Sequence, residues 1–368
     1  MKINWKKVIG WCVTTLVVIG VVGTNMYQHR EQKGDKPVIK IGAILPLTGA
    51  MGFVGQTYKD LYEMRLSEIP ENSKFKYQLI FEDDQLDAQK SLTAGQKLIS
   101  LDNVDVLLAS GSGPEPAIAD IAAQNKKIMF SLLLNEEAPL KTKYAFNMLL
   151  LPSEYVDFLT QELKKRNVKN VGVFIENSKG QLTTFKNFRD SLKGTDIQII
   201  GEEYVATNEK DFRIPIYKMS QKQPDIYVCF LLPSTMQGWI REYKRQELTQ
   251  PVTSVNGFDF VEDKTPYEGV WYVSDSIINN EMEQKYKETY GKDLLMSQAL
   301  WGYEALNAVI NAYESFDTKP TADQLVEKLY EKRTNTVVGD VQYQGNGILH
   351  GNGIMKIIKN GKAVKLEE

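Results

Sequence analysis

The chain has 368 residues, of which 42% are apolar and 25% charged, and carries a formal net charge of -3. That length supports two domains with cores of their own, and the composition is that of an ordinary globular protein. The charge balance, with no basic stripe interleaved with aromatics, excludes a nucleic-acid binder, and the only two histidines, His29 and His350, sit in a linker and a late turn, which argues against His-dependent catalysis or an imidazole metal site.

In chain order, the first feature is an export signal. Lys2, Lys6 and Lys7 precede an apolar stretch from Val8 to Gly23. As a helix this stretch would span about 24 Å, short of the roughly 30 Å hydrocarbon core, and Val21-Val22-Gly23 is a tolerable cleavage site. A cleaved signal peptide and an uncleaved anchor both stay open. Either way the bulk of the chain is expected outside the cytoplasmic membrane. Cys12 follows Trp11, so no lipoprotein signal is present; Cys229, in an apolar run, reads as a small core hydrophobe. Residues 27–37 read as a polar linker.

The run from Ile39 to Gln56 reads as strand, Gly-rich turn and helix, the opening of a doubly wound α/β sheet whose ligands bind at the carboxyl ends of strands. A helix follows over 53–69, stopped by Pro70. Then come a strand at 77–81, a helix at 87–100 with Asp87 as N-cap, a strand at 104–109, a second Gly-rich turn at 110–114, a helix at 115–125 and a strand at 128–134. Short loops between alternating strands and helices predict a parallel sheet covered on both faces. The pattern then restarts. An extended piece at 144–151 precedes a helix at 153–166 capped by Ser153. Strands follow at 171–175, 197–205, 226–232 and 252–255. Between them lie helices at 181–192, at 211–221 (interrupted by Pro215) and at 234–246. The last third is helical over 281–290, 297–316 and 321–332, with Thr321 as cap. Hairpins end the chain, marked by Gly345-Asn346-Gly347 and Asn360-Gly361. The late helices are expected to cover the first lobe and the terminal strands to join the second.

No Gly-x-Ser-x-Gly, Walker A or dinucleotide fingerprint is present, so no enzyme is expected and no cofactor is called for. The run Glu82-Asp83-Asp84 fits either a metal or acid-base site, or a strand end that faces water and caps the next helix; the second is favoured, because acids suit helix N-termini. Ser112 has no visible base. With the N–H groups of a helix start it suits a ligand carboxylate, and a plain structural turn is the alternative. Asp259, after a second-lobe strand, suits a ligand ammonium or an ordinary turn.

Taken in order and spacing, four segments resemble the type I periplasmic solute-binding proteins of branched-chain amino-acid (leucine/isoleucine/valine) ABC transporters. They are Ile41 to Gly49 with Gly55; Glu82 to Gln85 with Asp87, Ala88 and Gln96 to Ile99; Gly111-Ser112-Gly113 with Ala117 to Ala122 and Ile128 to Asn135; and Gly339 to Gly347. The resemblance covers nearly everything from Ile39 to the C-terminus. It implies a two-lobed α/β fold, each lobe a parallel sheet with helices on both faces, joined by three crossover strands near 144–151, 269–274 and 335–341. Residues 1–37 would be signal or anchor plus linker, 38–147 with 275–334 the first lobe, and 148–274 with 335–368 the second. It further implies capture of an amino acid or related carboxylate or amide by hinge closure and delivery to an ABC transporter permease, in a protein that is monomeric and is tethered to the membrane if the N-terminal segment is uncleaved. A ligand-sensing module of the same fold, without transport, is the alternative. The ligand residues it implies are Thr48, Gly49, Phe53, Ser112, Gly113, Leu133, Asn135, Leu231 and Asp259. Leu132-Leu133-Leu134 stands where small or hydroxylated residues are usual, which points to a more apolar ligand or a site that no longer binds.

Overall fold

The computed structural model describes residues 36–109, 115–131, 141–275, 279–350 and 353–367. Val38 to Glu368 form one compact unit. Its first strand, β1 (Val38–Leu45), explains the apolar run by its alternation. Ile39, Ile41, Ala43 and Leu45 enter one core and Ile44 enters the core on the opposite face. A strand buried on both faces reads as continuous hydrophobicity rather than alternation.

Around β1 lie β2 (Lys76–Asp83), β3 (Val106–Ala109), β4 (Ile128–Ser131) and β5 (Ala145–Asn147), all parallel, in the order β2-β1-β3-β4-β5. Helices α1 (Gly52–Ser67), α2 (Ala88–Ser100) and α3 (Glu115–Gln124) connect the first four. Asp87 caps α2 as expected, its Oδ1 accepting from the Lys90 N–H at 2.9 Å.

The second lobe repeats the scheme. It contains α4 (Pro152–Lys165), β6 (Asn170–Glu176), α5 (Lys179–Ser191), β7 (Gln198–Val205), α6 (Arg213–Ser220), β8 (Ile226–Phe230), α7 (Pro233–Arg245) and β9 (Val252–Thr253). The sheet order is β7-β6-β8-β9. Along β8, Ile226, Val228 and Phe230 face one core while Tyr227, Cys229 and Leu231 face the other. Cys229 is therefore the core hydrophobe expected, and burial pushes its thiol well up. Two local expectations change. Leu151, not Ser153, is the N-cap of α4, because Pro152 takes the first helical position and Glu154 reaches back to the Leu151 N–H at 2.9 Å. Pro215 does not interrupt a helix, since α6 begins at Arg213 and the proline lies in its first turn, where its missing N–H has no partner to lose.

β10 (Trp271–Ser274) joins the second sheet through a parallel bridge between Val255 and Val273. α8 (Asn280–Tyr290), α9 (Leu300–Glu314) and α10 (Ala322–Leu329), capped by Thr321, return to the first lobe's core as expected. The next segment departs from expectation. β11 (Arg333–Thr336), β12 (Gly339–Val341), β13 (Tyr343–Gln344) and β14 (Ile348–Leu349) form two small hairpins in the first lobe, and 335–341 is not a crossover. Val338, Val341, Tyr343 and Leu349 all enter that core. The reason is aromatic packing. Tyr343 meets Phe146 edge-on at 5.0 Å between ring centroids, and the Arg333 guanidinium lies over the Tyr343 ring at 5.5 Å. Only β15 (Ile354–Lys359) and β16 (Lys362–Lys365) join the second lobe, β15 antiparallel to β10 and β16 antiparallel to β15. The first crossing falls between Leu149, in the first core, and Leu150, in the second. Among the described residues no helix is long and apolar enough to cross a membrane.

Candidate functional site

The turn after β1 is built by the acid triplet. Asp83, at the carboxyl end of β2, accepts from the Leu47 N–H at 2.9 Å, the Thr48 N–H at 3.3 Å, the Thr48 hydroxyl at 2.5 Å and the Gln85 N–H at 3.1 Å. Burial works against its charge, but these four donors together hold its carboxyl below the ordinary carboxylate value. Asp84 is buried and accepts from Ser91 Oγ at 2.5 Å and the Leu86 N–H at 3.0 Å, while Glu82 pairs with Lys97 at 2.6 Å. The triplet thus organises a strand end and the turns beside it. Thr48 and Gly49 remain exposed, and Gly49 takes φ +82°, which favours glycine. Phe53 is half-buried against the first lobe's core, where it packs α1. Asp83→Ala strips four donors of their acceptor. It is expected to lower stability by about 1–3 kcal/mol and to speed amide exchange at Leu47 and Thr48. Unchanged exchange there would show that the turn does not depend on Asp83.

Ser112, Gly113, Leu133 and Asn135 lie outside the described residues. They belong to the segments that follow β3 and β4, whose ends are described. At the end of β4, Ser131 Oγ donates to Glu115 Oε2 at 2.9 Å, both residues buried, which ties that strand to the start of α3.

On the second lobe the two expected residues have other surroundings. Leu231 is buried in the core toward α7, packed among Phe174, Met236 and Trp239. Asp259 meets an ammonium, but one from the chain itself. Its Oδ1 accepts from Lys356 Nζ at 3.0 Å and Tyr272 OH at 2.8 Å, and its Oδ2 from Ser274 Oγ at 2.5 Å. Asp259 is 1% and Lys356 0% exposed, so the pair is sealed inside the protein. Lys356 also donates to Ser297 Oγ at 3.1 Å, in the turn before α9, and so reaches the first lobe.

Beside this pair lies a residue that sequence reading missed. Asp275, directly after β10, accepts from the Leu150 N–H at 3.2 Å, Tyr155 OH at 2.5 Å and Gln298 Nε2 at 3.0 Å. It therefore ties the first crossing, the second lobe's α4 and the first lobe's 297–299 turn together. Asn256, also buried, follows β9 in a left-handed conformation with φ 52°, and its Oδ1 has no partner among the described residues. Glu176, at the end of β6, is buried and accepts from the Leu232 N–H at 2.8 Å. A sequence signal existed for Lys356, a lysine inside the strand Ile354-Met355-Lys356-Ile357-Ile358; none distinguished Asp275 or Glu176 from ordinary strand-end acids.

Burial pushes the Asp275 carboxyl up, against hydrogen bonds from Tyr155 and Gln298 that favour its ionised form. With the folded value above the unfolded one, its contribution to stability is full below the unfolded value and is lost as pH rises through the folded value. The unfolding free energy of wild type relative to Asp275→Asn is expected to improve as pH falls from about 7 to about 4 in urea titrations. A flat difference would show that Asp275 has no raised value.

Two α/β lobes joined by short crossings, with polar turns at the carboxyl edges of their sheets and a buried polar junction between them, define a binding protein of the hinged two-lobe class. A family model described as periplasmic binding protein matches residues 38–357, and the chain belongs to that family. Solved structures agree in fold. An ABC transporter solute-binding protein from Rhodopseudomonas palustris BisB5, in complex with 3,4-dihydroxybenzoic acid, superposes with a TM-score of 0.80 at 17% identity, covering 90% of this chain and 96% of that one. The branched-chain amino acid binding protein LivJ from Streptococcus pneumoniae, in complex with isoleucine, gives 0.80 at 17% identity, covering 89% and 97%. The leucine-binding protein LivK from Thermotoga maritima gives 0.77 at 20% identity, covering 89% and 98%. The family's description is of periplasmic binding, and the first two solved structures above are themselves solute- or substrate-binding proteins of transporters.

Proposed function

We propose that this chain captures a small carboxylate-bearing solute with an apolar body between its two lobes and hands it to the permease of an ABC transporter. The observation that carries this reading is the turn held by Asp83, which leaves Thr48 and Gly49 exposed at the carboxyl edge of the first sheet, where ligands of such sheets bind. Ser112 and Gly113 supply hydroxyl and backbone donors to the carboxylate at the start of α3. Leu133 makes one wall apolar and Asn135 adds a polar contact. Solutes with a carboxylate on an aliphatic or aromatic body, of the kind bound by the relatives above, fit such a site.

Closure works by satisfying contacts on both lobes at once, so that ligand shifts the equilibrium toward the closed form that the permease reads. The protein works as a monomer in the periplasm or at the outer face of the cell membrane, held there by its N-terminal segment where that segment is not cleaved. Thermal-shift titration against branched-chain amino acids, benzoates, short acids and their amides tests the reading; no shift with any of them would refute it. With a ligand in hand, Ser112→Ala is expected to weaken it by about 1–3 kcal/mol in calorimetry, and unchanged affinity would remove Ser112 from the site.

A further inference from the structure

A cavity of about 220 Å³ is walled by both lobes. The first lobe contributes α8, with Asn280, Glu283 and Lys287, and the loop to Ser297; the second contributes Lys264 and the β15–β16 turn with Lys362. Three ammonium groups line it. Lys264 is only 3% exposed, and its Nζ donates to two backbone carbonyls, Val261 O at 2.5 Å and Leu295 O at 2.8 Å. Carbonyls satisfy hydrogen bonds but do not neutralise charge. Among the described residues no carboxylate lies within ion-pair distance of Lys264, and one of its three N–H groups has no acceptor. Burial pushes its ammonium down to about 8, with only distant help from Asp259 and Glu262 and opposition from Lys356.

The other two lysines share a single acid. Asp293 sits 2.9 Å from Lys287 and 3.4 Å from Lys362. The remaining carboxylate, Glu283, is half-buried, and desolvation pushes it toward its neutral form against the pull of Lys362 and Lys356. The lining is thus short of negative charge, and Asn280 and Ser297 add neutral polar groups beside the ammoniums.

We propose that this interlobe cavity is a second binding site, for a small oxyanion such as a phosphate or carboxylate group, with Lys264 as its buried anchor and Lys362 as its outer arm. It is independent of the solute proposed for the carboxyl edges. An oxyanion there receives the open N–H of Lys264 and supplies the charge that the carbonyls do not.

The test is thermal-shift titration of the full chain with inorganic phosphate and, separately, acetate, against sodium chloride at matched ionic strength. Saturable stabilisation beyond chloride is expected from at least one of them, and which one names the class. In Lys264→Met the midpoint is expected to rise about tenfold or more, the loss of one charge-assisted hydrogen bond. Lys362→Ser weakens the response, and Ser112→Ala keeps it. No response beyond chloride, an undiminished response in Lys264→Met, or a response lost with Ser112→Ala would each overturn the proposal. Should circular dichroism show Lys264→Met unfolded, the surface variant Lys362→Ser decides, weakening supporting the site and full retention refuting it.

Discussion

In urea unfolding, Lys356→Met is expected to be about 3–5 kcal/mol less stable than wild type, the range for breaking one side of a buried ion pair. The size follows from what remains. Asp259, 1% exposed, keeps the hydroxyls of Tyr272 and Ser274 but loses the cation that pairs with it directly among the described residues. Two neutral donors do not offset a buried carboxylate's desolvation. The double variant Lys356→Met with Asp259→Asn is expected to recover most of the loss, since the amide oxygen accepts from one of the two hydroxyls, the amide N–H donates to the other, and no charge is stranded. A single-variant loss below about 1 kcal/mol, or a double variant no better than the single, would show that the pair does not behave as a buried ion pair.

Gly55→Ala carries the second large effect, through geometry alone. A methyl at Gly55 would stand 2.3 Å from the Pro46 carbonyl oxygen, 2.5 Å from its carbon and 2.9 Å from the Leu47 nitrogen. All three are backbone atoms, so no side chain can swing away. Helix α1 must back off from the end of β1, and the Leu47 and Thr48 N–H groups then shift relative to Asp83. The expected loss is about 1–3 kcal/mol of stability, the range for an overpacked site, together with weaker solute binding if the Thr48 turn is one wall of the site. Wild-type stability would mean that α1 does not press on Pro46 in solution.

Much of this was legible in the residues. The opening strand, its glycine-marked turn and the helix after it stand close to where the apolar run and the breakers Gly49 and Pro70 put them. The caps at Asp87 and Thr321 were readable because a capping side chain bonds within three residues of itself. The acid triplet was readable only as a strand end. That Asp83 holds Thr48, 35 residues away, follows from β1 and β2 lying in parallel register with Leu45 opposite Asp83.

The sequence by itself determined the alternation of strand and helix, the two-sided burial of the strands and the doubling into two lobes, because these follow from periodicities of a few residues. Only the tertiary structure decided which core received the hairpins at 333–349, because a hairpin's turn signals are the same whichever lobe it packs on. It also decided what Asp259 faces. Its ammonium partner lies 97 residues further on, in a strand that reaches the second lobe only after the chain has gone back through the first. Pairing across that separation is set by which elements pack side by side, and no local pattern records it.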